Sequence, residues 1–101
     1  YRIELDEIQS GLYKHPRIRE AAVVAVTTGG EVRITAFLTA SEAPEPGILE
    51  MKVFCGKQLP SYMSPDVFTF LPALPRTSTD KTDFQALVRM AQAPVNVPVL
   101  A

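Results

Sequence analysis

AAVVAVTTGGEVRITAFLTA, residues 21–40, holds two strand-like runs on either side of a glycine pair. Residues 21–28 are apolar on both faces and rich in valine, which predicts a buried strand. Gly29-Gly30 makes a two-residue hairpin loop. Beyond it Val32, Ile34, Ala36 and Leu38 alternate with Glu31, Arg33, Thr35 and Phe37, which predicts a half-exposed second strand antiparallel to the first.

Helical periods flank this hairpin. Upstream, Leu5, Ile8 and Leu12 fall at i, i+3 and i+7, with Glu4, Asp6 and Glu7 in an acidic first turn, Lys14 in the last turn and Pro16 as the stop. Downstream, the segment 41–47 carries Pro44 and Pro46 and reads as a loop. A second helix is predicted over about 48 to 59, burying Ile48, Met51, Cys55 and Leu59. Pro60 and Pro65 bracket a turn, and 67–71 reads as a short third strand. A last helix starts near Asp83 and uses Phe84, Leu87 and Val88. The element order is α-β-β-α-β-α, an α+β domain with a small mixed three-stranded sheet flanked by helices. The third strand returns after a helical crossover, and the sequence leaves open which hairpin strand it joins.

Composition narrows the function classes. A chain of 101 residues supports one core. Its 47% apolar and 21% charged residues, with formal net charge −1, describe an ordinary soluble globular domain. The ten basic residues are scattered among eleven acids, so no basic patch points to nucleic acid. The longest apolar runs are strand-sized, well short of the roughly 20 residues that cross a membrane. One cysteine, Cys55, excludes an internal disulfide and fits a reducing, cytoplasmic setting. One histidine, His15, does not make a metal site; at a helix end before Pro16 it is expected partly exposed, near the last carbonyls. Cys55 is expected to be buried filler. The start without methionine or signal peptide reads as a piece of something larger.

LPRTSTDKTDF, residues 74–84, holds the candidate for chemistry. Thr82 and Gln85 form a T-x-x-Q capping box in prospect, which places Lys81 outside the helix at the tip of the turn 77–80. A helix N-terminus favours anions, so a lysine there serves something other than the helix. Held at a loop tip, its ammonium suits an anionic cleft on a partner.

Three ordered stretches carry a resemblance: YRIELDEIQSGLYKHPRIREAAVVAV (1–26), KQLPSYMSPDVF (57–68) and LPRTSTDKTDFQAL (74–87). Together they resemble the successive signatures of the small C-terminal subdomain of adenylate-forming enzymes, which include acyl- and aryl-CoA synthetases, luciferases and amino-acid adenylation domains. The resemblance implies that residues 1–91 are a mobile lid on a larger N-terminal domain and that 92–101 are an extended, proline-containing tail. It also implies that Lys81 swings into the active site of that domain. There it contacts the ATP phosphate and the substrate carboxylate while acyl-AMP forms, with ATP and Mg2+ bound mainly by the N-terminal domain. The lid then rotates, and Arg2 lines the approach of a pantetheine thiol. PRTSTDKTD looks like the version of the motif in stand-alone aminoacyl carrier-protein ligases. That favours activation of a carboxylic acid, an amino acid in particular, and transfer to a carrier protein's phosphopantetheine. The alternatives are a CoA synthetase using coenzyme A and a non-catalytic α+β interaction module. The chain departs from the family at Asp80, where glycine is usual, and at Phe84, where arginine is usual. Aspartate tolerates the left-handed backbone that a glycine there would adopt.

Overall fold

A computed structural model describes residues 4–92. Gly29 and Gly30 have φ of 60° and 83°. Two consecutive positive-φ residues give the turn whose twist matches that of paired strands. The hairpin it closes joins β1 (Ile18–Thr28) to β2 (Glu31–Ala40), antiparallel, from Thr28 opposite Glu31 down to Ile18 opposite Ala40. β1 thus starts three residues earlier than the valine run suggests.

The helices are α1 (Leu5–Leu12), α2 (Ile48–Gln58) and α3 (Phe84–Gln92), and the third strand is β3 (Val67–Phe70). β3 joins β2 in parallel, which settles the open choice and gives the order β1-β2-β3. Asp66 sets that register: its N–H donates to Ile34 O at 2.8 Å and its carboxylate accepts Ile34 N–H at 2.8 Å. A 3₁₀ turn at Ser61–Met63 occupies the stretch bracketed by Pro60 and Pro65.

Both faces of the sheet are covered, because successive strand residues point to opposite sides. On one face Ile8 and Leu12 of α1 and Met51 and Cys55 of α2 pack with Val23, Ala36, Leu38 and Phe68. On the other, Ala22, Val24 and Phe37 pack with Leu74 and with Leu87 of α3. The half-exposed β2 is therefore corrected: residues 34–39 are all buried, Thr35 and Thr39 included, since α3 and the segment before it cover the face that looked solvated. Ile48 is corrected too. It is 56% exposed, because the inward row of α2 is Met51, Cys55 and the following Leu59, and Ile48 opens the helix outside it. Phe84 is likewise exposed, at 43%, and Leu87 is the buried residue of α3. Lys14 lies past the end of α1.

β1 is an edge strand, and α1 runs beside it. Val23 N–H donates to Gln9 Oε1 at 3.0 Å, so a side chain occupies an edge position that a further strand would use. No helix of the described residues is long and apolar enough to cross a membrane.

Candidate active-site lysine and its loop

Between β3 and α3 the chain crosses the α3 side of the sheet. Leu74, 4% exposed, anchors the crossing among Ala22, Phe37 and Leu87. Two residues later a narrow hairpin begins, with Arg76 bridged antiparallel to Thr82. The Arg76 guanidinium pairs with Glu20 of β1, which moors the hairpin base to the sheet.

Inside that base the bonds converge on one residue. Thr77 N–H donates to Lys81 O at 2.7 Å, Asp80 N–H donates to Thr77 O at 2.9 Å, and Lys81 N–H donates to Thr77 Oγ1 at 3.3 Å. The Thr77 and Thr79 hydroxyls lie 3.0 Å apart. Asp80 sits at φ 64°, the left-handed conformation expected of it. Its carboxylate makes no hydrogen bond among the described residues, so its contribution to the turn comes from backbone tolerance.

The helix that follows is capped differently from expectation. Asp83, not Thr82, is the N-cap: its Oδ1 accepts Ala86 N–H at 3.0 Å and its own N–H donates to Pro75 O at 2.9 Å. Aspartate is among the strongest N-caps and its charge complements the helix dipole, so the residue next to Phe84 wins over the T-x-x-Q spacing. Lys81 stays outside the helix, fully presented. It is exposed, and among the described residues its ammonium has no hydrogen-bond or ion-pair partner. A cation on a rigid base with no counter-ion of its own can take a phosphate or carboxylate oxygen without first breaking an internal pair.

The other candidates resolve as structural. His15 is corrected from partly exposed to buried, at 5% exposure, and its partner is a side chain, not the helix carbonyls. Nδ1 accepts Arg17 N–H at 3.1 Å, which places the ring proton on Nε2, donated to Glu50 Oε2 at 2.9 Å. The ring also meets Phe54 edge-on at 4.9 Å. Arg17 completes the cluster, with Nη2 on both Glu50 oxygens at 2.9 and 3.0 Å and Nη1 on Pro44 O at 2.9 Å. The His15 and Arg17 hydrogen bonds hold the Glu50 carboxyl below the usual carboxylate range. Burial pushes the Cys55 thiol up to about 11, so at neutral pH it is an inert thiol in the core. Arg2 lies outside the described residues. Thr77 and Glu20 escape a reading of the sequence; a Thr opening a turn is a weak local signal, and Glu20–Arg76 spans a separation that no local pattern encodes.

Residues 7–81 match the family model described as the AMP-binding enzyme C-terminal domain. A linear gramicidin synthase polypeptide of Brevibacillus parabrevis is 42% identical over 88 residues, 86% of this chain and 2% of that protein. An L-proline–[L-prolyl-carrier protein] ligase of Streptomyces coelicolor is 38% identical over 88 residues, 86% of this chain and 16% of that protein. Among solved structures, a four-domain nonribosomal peptide synthetase bound to AMP and glycine superposes with a TM-score of 0.80 at 30% identity, over 100% of this chain and 7% of that one. The chain thus spans a small fraction of the length of these relatives. Matched over three quarters of its length and in its three-dimensional form, it belongs to the family of AMP-binding enzyme C-terminal domains.

Proposed function

We propose that residues 1–91 form the lid of an ATP-dependent ligase that activates an amino acid as its acyl-AMP and passes it to the phosphopantetheine thiol of a carrier protein. The observation that carries this reading is the state of Lys81: main chain bonded on both sides, ammonium exposed and without a counter-ion among the described residues. The 38% identity to a prolyl-carrier protein ligase supports an amino acid and a carrier protein as substrates.

In the first step a substrate carboxylate oxygen bonds to the α-phosphorus of ATP and the bond to pyrophosphate breaks. Both reactants are anions, and charge builds on the phosphoryl oxygens. Lys81, set between the two, offsets the repulsion and orients the attack without giving up its proton. In the second step the pantetheine sulfur bonds to the acyl carbon and AMP leaves, carrying the electron pair. The lid has by then turned, with Arg2 beside the thiol's path. Among the described residues no three His, Cys, Asp or Glu side chains are grouped to hold a metal ion. The described residues thus offer no all-protein cage for a metal, and in this reading Mg2+ and ATP are held mainly by the chain's own N-terminal domain. A cytoplasmic site of action completes the reading.

The test is amino-acid-dependent exchange of labelled pyrophosphate into ATP by the full-length protein, over a panel of proteinogenic amino acids. Phosphopantetheinylated carrier protein and coenzyme A are then offered side by side as acceptors. Exchange with one acid and transfer to the carrier protein are expected. Transfer to coenzyme A alone would make the protein a CoA synthetase, and no exchange with any acid of the panel would overturn the amino-acid ligase reading. Residues 1–101 by themselves should show no saturable micromolar binding of Mg-ATP by calorimetry, since the phosphate cradle lies elsewhere.

A further inference from the structure

Both main-chain groups of Lys81 are bonded to the same residue. Its C=O accepts the Thr77 N–H at 2.7 Å, and its N–H donates to the Thr77 hydroxyl at 3.3 Å. The Thr77 carbonyl closes the turn through Asp80 N–H at 2.9 Å, so all three polar groups of Thr77 act inside the hairpin. Thr77 itself is exposed, and its side chain touches no core cluster. An exposed hydroxyl bonded to an exposed amide adds little to net stability, because water serves both groups nearly as well. What the bond does supply is direction. A lysine side chain is a long flexible stem, and where its ammonium arrives depends on where the stem is rooted.

We propose that Thr77 is a positioning residue for Lys81: its hydroxyl fixes the lysine's main chain and thereby the reach of the ammonium toward the anionic substrate atoms. The proposal rests on the ligase reading given above and adds to it a second residue that touches no substrate. The bonds through the Thr77 backbone survive replacement of the side chain by valine, whereas the bond through Oγ1 does not. Thr77→Val keeps the branched shape and removes only the hydroxyl.

The experiment measures pyrophosphate exchange by the full-length enzyme, using the amino acid that exchanges fastest in the panel. Wild type is compared with Thr77→Val, Thr77→Ser and Lys81→Ala. Misplacing a charged group by a fraction of an ångström lowers kcat more than it raises KM, so Thr77→Val is expected to lose about tenfold in kcat with KM within about twofold. Thr77→Ser, which restores the hydroxyl, is expected within about threefold of wild type. Melting temperature should not move in either variant. Thioester transfer from supplied acyl-adenylate should be unchanged as well, since Lys81 has then left the site.

If Lys81→Ala is slow and Thr77→Val is as fast as wild type, the positioning role is overturned while the ligase reading stands. The positioning role falls likewise if Thr77→Ser is as slow as Thr77→Val, or if both half-reactions decline together with the melting temperature. If wild type exchanges with no acid, or Lys81→Ala exchanges normally, the ligase reading falls and the role of Thr77 with it.

Discussion

The surface around Glu50 and the loop around Lys81 are each organised by three or more hydrogen bonds, and they leave their charges in opposite states. At the junction of α1, β1 and α2, Glu50 is held by the His15 ring and by both of the contacts from Arg17 Nη2, so cation and anion answer each other. In the 76–82 hairpin the bonds run through backbone and hydroxyl groups, and the ammonium of Lys81 is left over. A matched cluster fastens the chain to itself. An unmatched charge on a fastened base is available to something else, and the side on which a residue falls predicts whether its loss affects folding or chemistry.

The largest effect should come from the unmatched side. Lys81→Ala is expected to slow pyrophosphate exchange by about a hundredfold or more, the scale for removing a transition-state charge donor. The melting temperature should stay within a degree or so, as few contacts are lost. Equal losses in both half-reactions would erase the distinction between the two regions.

The matched side should behave in the converse way. His15→Ala removes a ring buried to 5% exposure and leaves the Arg17 N–H without its acceptor. Urea unfolding of residues 1–101 should show a loss of about 2 kcal/mol, with exchange per folded molecule of the full-length enzyme unchanged. A stable His15→Ala domain with impaired exchange would move this cluster into the chemistry.

Acid should act on the matched cluster alone. Glu50 has its carboxyl lowered by the His15 and Arg17 hydrogen bonds, so its pairing stabilises the fold above the unfolded carboxyl's pKa. That stability drains away as pH falls from about 4.3 through the lower folded value. The difference in unfolding midpoint between wild type and Glu50→Gln should therefore be widest near neutrality and close over that acidic window. A difference that stays constant with pH would mean that packing, not charge, holds the cluster.

The smallest effect is expected at Asp80, the carboxylate next to Lys81. Asp80→Asn keeps a residue that tolerates φ near 64° and removes the charge. Exchange should change by less than about threefold, under about 1 kcal/mol. A gain of tenfold or more would show that the carboxylate faces the substrate phosphates when the lid is docked, so that Lys81 would not be the only charge in play there.

How much of the fold and the site is legible in the sequence depends on how local each cause is. The glycine pair, the valine run and the Leu5–Ile8–Leu12 spacing are each read from neighbours along the chain, and the hairpin and α1 follow from them. Thr35 lies on the strand face read as solvated, yet it is buried, as is Thr39, and Phe37 on that same face is packed by Leu74 and Leu87, which come from distant segments. The burial of His15 is hidden for the same reason: Glu50, its partner, lies 35 positions away. Lys81 can be singled out from its turn and from the family signatures around it. Thr77 cannot, since its bonds exist only after the hairpin has closed.

The bond from Val23 to Gln9 bears on what the open edge of this sheet can pair with. A three-stranded sheet has two open flanks, and a flank is a template on which any extended segment can add itself as a fourth strand. Here one flank is β3, only four residues long, and along the other a glutamine side chain answers an amide that would otherwise solicit a partner. Contacts with other chains are thereby steered away from backbone addition and toward side-chain surfaces. If the domain turns between two surfaces as proposed, such contacts serve it, because they release without unzipping a ladder of hydrogen bonds.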